Sequence, residues 1–370
     1  MATTVFKRDE VIILLGAGAS VEAGIPDSRN MIEEIETLIS SKPDWSQYRE
    51  SYRYIRSSIF FADGLDGVFG DDVHFNIERL VNVLDELRKK ERHALYPFVG
   101  AWNPKLQEVA GDDFRNVHRF RSEIVQILRN EWVALRETEA AAYYKGLLRF
   151  QKEYEHPLRV FSLNYDLCVE QTCGNTHVQR GFNERTWDWR MFDETSEDDL
   201  PLLLYKLHGS LDWYFKNDQV QYSDSTSVIK DDEIALIFGT SYKLQYLDPF
   251  LFLAYELRRW TLDAARIVIC IGYGFSDDHI NGILGQALRQ NHERKLLAVT
   301  GPVDSKGTKE RIATRLDAQD AQVIVRETKA SEFLEKGLSI AALGELFPIE
   351  SDLIPEVSDA TEVSGSEGRG

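Results

Sequence analysis

Four short segments hold the residues whose types and spacing could do chemistry. The first, Gly16-Ala17-Gly18-Ala19-Ser20, directly follows the apolar run Val11-Ile12-Ile13-Leu14-Leu15. Two glycines at a strand end permit a tight turn and let backbone approach a pyrophosphate. A helix N-terminus near Ser20 would then offer unpaired N–H groups to an anion. The same residues also suit a plain strand-to-helix turn, and Gly24 falls too late for G-x-G-x-x-G spacing. The other three segments are Leu163-Asn164-Tyr165-Asp166, Leu207-His208-Gly209-Ser210 and Ile271-Gly272-Tyr273-Gly274-Phe275-Ser276, each after an apolar run. Taken singly their residues are ambiguous. Asn164 is a natural turn former. His208 is as readily a satisfied structural histidine as a general base. Asp166 suits a cap for a helix starting at Leu167, and Asp27 one for Ser28–Ile39. Arg29 could pair with that helix's acids.

The elements that must position these residues read as a doubly wound α/β fold. Continuous apolar runs at 11–15, 159–163, 202–207, 267–271, 295–299 and 322–325 suit parallel strands buried on both faces. Polar or Gly-rich turns and helical patterns follow most of them. Between the first two runs, Phe75, Leu80, Leu84 and Leu87, then Val117, Phe120, Ile124, Leu128 and Leu135, recur at helical spacing. Residues 31–156 therefore read as an inserted helical subdomain, closed by Pro157, with Asp71-Asp72 as a cap. The core is expected at 1–30 and 157–349. Residues 212–245 read as short strands or loops, 249–265 as a helix, and Asp277-Asp278 as the cap of a helix running to Leu288. Residues 350–370 are acidic, lack an apolar period and read as a disordered tail.

The continuation Gly24-Ile25-Pro26-Asp27-Ser28-Arg29 makes the first segment closely resemble the nucleotide loop of sirtuins, usually GAG-x-S-x-x-x-GIPDFR. The other three segments follow in sirtuin order, where that family has Q-N-I-D, His-Gly and a turn against the nucleotide ribose. The resemblance covers roughly residues 11–29 and 159–327, and it implies a Rossmann-like sirtuin sheet that takes NAD⁺ as substrate. Gly16, Ala17, Gly18, Ala19, Ser20, Ile25, Pro26, Asp27, Arg29, Gly272 and Tyr273 would bind the nucleotide. Asn164 would orient water or ribose, His208 would act as general base, and Asp166 would hold the nicotinamide amide.

Two departures from the sirtuin pattern bear on the reaction. Deacylases of the family carry a four-Cys zinc module between the His-Gly motif and the ribose turn, whereas residues 210–266 contain no cysteine. Ser28 stands where GIPDFR has the Phe thought to shield ribose C1′ from water. Both resemble the sirtuin-like NAD⁺ hydrolases of bacterial antiviral defence, with the subunit of a HerA-associated system as the nearest match. Such an enzyme needs gating, here expected from homo-oligomerisation or from an activator in trans, a HerA-type ATPase before an Argonaute. The alternatives are a deacylase or ADP-ribosyltransferase, and a non-catalytic NAD⁺ or ADP-ribose sensor. Retention of Asn164 and His208 weighs against the sensor.

Composition bounds the rest. The 370 residues carry 43 basic and 61 acidic side chains, a net charge of −18, which argues against general nucleic-acid binding. No apolar run approaches the roughly 20 residues that span a bilayer, and no signal peptide is apparent, so a cytoplasmic location is expected. Three cysteines, Cys168, Cys173 and Cys270, make no disulfide framework and no thiolate metal site, so no metal is expected. Cys168 and Cys173 read as structural. Gly239-Thr240-Ser241 reads as an ordinary turn, and Trp187-Asp188-Trp189-Arg190 as loop packing or a partner surface.

Overall fold

The run Val11–Leu15 forms strand β1, and every one of its side chains is buried, as a strand covered on both faces must be. In the computed structural model it lies at the centre of a seven-stranded parallel sheet. The structure describes residues 6–70, 73, 75–90, 104–193, 201–230, 233–238, 248–302 and 307–347. The other strands of this sheet are β2 (Leu158–Ser162), β3 (Val178–Gln179), β6 (Leu202–Lys206), β10 (Ile267–Ile271), β11 (Lys295–Thr300) and β12 (Val323–Glu327). Their spatial order is β12-β11-β10-β1-β2-β6-β3. Leu15 pairs with Ser162 on one side and with Ile271 on the other. The order therefore reverses at β1, and the crevice beyond the strands' carboxyl ends opens there.

Helices cover both faces. On one side lie α1 (Ser28–Ser41), α2 (Arg49–Leu65), α3 (Ile77–Lys90), α4 (Arg115–Ile127) and α5 (Lys145–Tyr154), all between β1 and β2. The short helix α6 (Cys168–Cys173) follows β2 on this same side. On the other side lie α7 (Phe250–Asp263), α8 (Asp278–Gln290) and α9 (Thr308–Leu316). Asp27 caps α1 by accepting hydrogen bonds from the Arg29 and Asn30 N–H groups, at 3.0 and 2.8 Å. Among the described residues the helical stretch and the sheet bury their side chains together. Ile35, Leu80, Phe120 and Leu147 share one continuous buried cluster with Ile13, Leu15, Val160 and Leu204 of the sheet. The expected boundary at residue 30 falls inside α1. The sites of the expected Asp71-Asp72 cap, the Gly239-Thr240-Ser241 turn and the acidic tail lie outside the described residues.

A second, antiparallel sheet, ordered β4-β5-β8-β7-β9, occupies much of 182–236. Its strands are β4 (Phe182–Asn183), β5 (Thr186–Trp187), β7 (Gly209–Lys216), β8 (Gln219–Tyr222) and β9 (Ile234–Leu236). Only Leu207 and His208 separate β6 from β7. Gly209, at φ +85°, turns the corner, and a Cβ there would sit 2.1 Å from the Ala235 carbonyl oxygen. That corner holds His208 at the end of the parallel sheet. Aromatic rings join the two sheets: Phe192 stacks on Tyr205 at 4.3 Å, and Trp187 packs on Phe182, Phe192, Trp213 and Phe252. Trp187 is thus loop packing, while Trp189 is 45% exposed.

Candidate active site

The loops after β1, β2, β6 and β10 meet in one cleft of about 1060 Å³, roofed by α1, by the residues leading into α3 and by its first turn. Gly16, Ala17, Gly18, Ile25, Pro26, Asp27, Ser28, Arg29, Asn164, Asp166, His208, Gly272 and Tyr273 all line it.

Ala19 and Ser20 do not line the cleft. The glycine segment leads into two 3₁₀ turns, Ala17–Ala19 and Val21–Ala23, rather than into a helix with open N–H groups. The Gly16 N–H is bonded to Ile271 O, that of Gly18 to Gly272 O, that of Ala19 to Gly16 O and that of Ser20 to Ala17 O. The N–H groups of Gly16, Gly18, Ala19 and Ser20 are therefore already bonded within the protein, and 3₁₀ turns stand where a helix N-terminus was expected. The glycines of the segment serve another close approach. A Cβ on Gly16 would lie 2.6 Å from Gly272 O, and one on Gly272, at φ +62°, 2.0 Å from Ala19 N. The first and fourth loops interlock backbone to backbone, which only glycine permits.

Behind that loop, a buried polar chain fixes the chemistry-bearing side chains. Ser20 Oγ donates to Asp166 Oδ2 at 2.8 Å and accepts from the Tyr144 hydroxyl at 2.9 Å and from Asn164 Nδ2 at 3.2 Å. Asn164 Nδ2 also donates to Gly16 O at 3.0 Å, and Asn164 Oδ1 is buried with no partner among the described residues. Asp166 Oδ1 accepts from the Cys168 N–H, the first of α6, but the N-cap position is Leu167, so Asp166 is not the helix cap expected of it; it lines the cleft. The Tyr143 hydroxyl donates to Ala19 O at 2.7 Å. Burial pushes the Tyr143 and Tyr144 phenols well up, which keeps both as neutral donors.

His208 is buried, and among the described residues neither ring nitrogen has a hydrogen-bond partner. Its Nε2 lies 3.5 Å from Asp277 Oδ2, and its Nδ1 lies 3.9 Å from Glu78 Oε1. Asp277 is anchored as the cap of α8, its Oδ1 accepting from the His279 and Ile280 N–H groups. The Tyr273 hydroxyl donates to Asn281 Oδ1 at 2.9 Å, stiffening the same loop. The cations on the cleft wall are Arg29 and Arg56. Arg29 is 3.5 Å from Glu33 and Arg56 is 2.8 Å from Glu36. Both are exposed pairs, weak enough to exchange for phosphate oxygens.

Sequence reasoning missed a second buried group. Lys206, which ends the apolar strand β6, donates through Nζ to the Asp166 carbonyl and lies 3.5 Å from Glu170 Oε1. Arg180 bridges Glu170, at 3.7 Å, and Asp212, at 2.8 Å. Burial raises the Glu170 carboxyl, against the pull of Lys206 and Arg180. The one signal for this cluster was a lysine ending a strand too apolar to reach water. Nothing in the sequence marked Glu78 or the double duty of Asp277. All three cysteines are free and buried, and burial pushes the Cys173 thiol to about 12. Among the described residues no three His, Cys, Asp or Glu side chains gather to hold a metal ion, and no helix is long and apolar enough to cross a membrane.

Residues 158–324 match the family model of the SIR2-like domain. That span contains Asn164, Asp166, His208, Gly272 and Tyr273, and the match supports a sirtuin-like protein. The glycine segment and α1 to α5 lie outside it. No curated protein sequence matches the chain. The structure of Sir2Tm bound to a propionylated peptide is similar over 89% of this chain and 94% of that one, at 13% identity and a TM-score of 0.37.

Proposed function

We propose that the chain hydrolyses the nicotinamide–ribose bond of NAD⁺, releasing nicotinamide and ADP-ribose. The observation that carries this reading is one convergence. Asn164 Oδ1 and both nitrogens of His208 are buried, lack hydrogen-bond partners among the described residues and belong to residues lining one cleft, beside Asp166, where the sheet order reverses. Buried polar atoms without partners are costly, and a polar ligand that satisfies them recovers that cost.

The chemistry follows from the placement. Asn164 Oδ1 holds the attacking water or a ribose hydroxyl. Asp166 positions the leaving nicotinamide as the glycosidic bond stretches toward an oxocarbenium-like state. His208 takes the proton. Nicotinamide leaves as a neutral molecule, so positioning and electrostatics supply most of the rate. Ser28 on the cleft wall leaves water a path that a phenyl ring would block, which favours hydrolysis over transfer. We further assign the role to antiviral NAD⁺ depletion, gated by self-assembly or by a partner in trans, a HerA-type ATPase before an Argonaute. This assignment rests on the sequence resemblance.

The test is NAD⁺ loss in the presence of candidate partners, followed in wild type, Asn164→Ala and His208→Ala. Both variants should lose at least a hundredfold in turnover while melting within about 2 °C of wild type. O-acyl-ADP-ribose as the main product with an acylated peptide would overturn hydrolysis in favour of transfer.

A further inference from the structure

The helical residues between β1 and β2 carry one carboxylate to the imidazole that the core presents. Glu78 sits in the first turn of α3, and its backbone is tightly held. Asn76 Oδ1 accepts from the Arg79 N–H at 2.9 Å, and Arg79 forks onto Asp63 of α2 with two contacts of 2.7 Å. Ile77 and Leu80 on either side are buried. The Glu78 side chain is 25% exposed, on the cleft wall. Its carboxylate oxygen Oε1 lies 3.9 Å from His208 Nδ1, a contact that is an ion pair only when the imidazole is protonated.

An acid in a first helical turn is favoured by the helix dipole wherever it points. That preference does not explain a carboxylate brought to a buried, unbonded histidine. Asp277 already approaches Nε2 from the other side and is locked as a cap. If Nε2 carries the proton toward Asp277, Nδ1 turns a lone pair toward the Glu78 carboxylate. Two acceptors then face each other with no donor between them. A single hydroxyl carries one proton and can serve only one of these acceptors, whereas the two adjacent hydroxyls of a diol can donate to one each. The Tyr165 ring, 6.3 Å from the imidazole, cannot supply that donor, because its hydroxyl is given to Ile237 O.

We propose that Glu78 and His208 together form an acceptor site for sugar hydroxyls, one acceptor from the helical face and one from the core. Its ligand class is a ribose vicinal diol. The assignment rests on the NAD⁺ reading above and deepens it: the diol is that of the ribose bearing the scissile bond. Glu78 is then a specificity residue that touches substrate.

The experiment is calorimetric binding of ADP-ribose and of AMP to the full chain, in wild type, Glu78→Gln and Glu78→Ala. ADP-ribose carries the second ribose and AMP lacks it, and neither is consumed. Loss of a charged acceptor should weaken ADP-ribose roughly tenfold to a hundredfold in Glu78→Ala, and less in Glu78→Gln, which keeps a neutral acceptor oxygen. AMP affinity and the melting temperature should stay near wild type. Equal affinity of all three proteins for ADP-ribose would overturn the assignment and leave the NAD⁺ reading standing. Equal losses for AMP and ADP-ribose would overturn it too, by moving Glu78 away from the second ribose. A wild-type chain that binds neither compound would overturn the NAD⁺ reading and this assignment together.

Discussion

Lys206→Met is the sharpest test of the buried charges behind the cleft. The methionine keeps the volume but leaves Glu170 with Arg180 alone, at 3.7 Å and shared with Asp212. Breaking a buried ion pair from one side costs about 3–5 kcal/mol, because the remaining charge stays buried. Unfolding entropy is about 2.1 cal/mol/K per residue, so for 370 residues this cost lowers the melting temperature by about 4–6 °C. Adding Glu170→Gln removes the stranded charge and should restore half or more of that drop. The pH dependence has a definite sign. Burial raises Glu170 in the folded state, so the fold binds its proton more tightly than the unfolded chain does. Its contribution is most favourable in acid and is lost as pH rises through the folded value. Without Lys206 that value rises further, so the deficit of Lys206→Met is largest at neutral pH and narrows toward acid. Thermal melting from pH 5 to 8 checks this. A variant melting within about 1 °C of wild type at pH 7, with no recovery from Glu170→Gln, would refute the argument.

Other perturbations separate structural from chemical roles. Gly272→Ala forces a Cβ to within 2.0 Å of Ala19 N at φ +62°, and should destabilise by about 2–5 kcal/mol from left-handed strain and overpacking. Gly274→Ala, whose Cβ meets nothing within 4 Å, should melt near wild type in the same denaturant series. Ser28→Phe should slow NAD⁺ cleavage about tenfold, or roughly 1.4 kcal/mol, with near-normal affinity, read by single-turnover kinetics beside calorimetry. Unchanged cleavage would place position 28 away from ribose C1′.

The parallel strands were legible in the sequence because a strand buried on both faces has no reason to alternate. Val11–Leu15 and Ile267–Ile271 show this directly, and both boundaries agree with the structure. The two-residue strands β3, β4 and β5 were not legible, since two residues carry no period. Ser20 misled for a physical reason. A serine after a glycine turn suggests an exposed helix start, yet its hydroxyl is wholly buried against Asp166 and Tyr144, partners more than a hundred residues away. Asp277 read as an ordinary helix cap and Glu78 carried no signal at all, and only the packing of α3 and α8 around His208 brings both to one imidazole.

The central position of β1 has a consequence for biosynthesis. Val11 pairs with Ile267, 256 residues further along the chain, and Ile12 with Arg159. At ribosomal rates of about 5–20 residues per second, β1 emerges on the order of 10–50 s before its β10 partner exists. For that interval the β10-facing edge of an unbroken apolar strand stays unpaired, the kind of segment that pairs with foreign chains. Holding this strand until the C-terminal half emerges is work for a chaperone, and expression yield should respond to chaperone supply more than to mutations in the cleft.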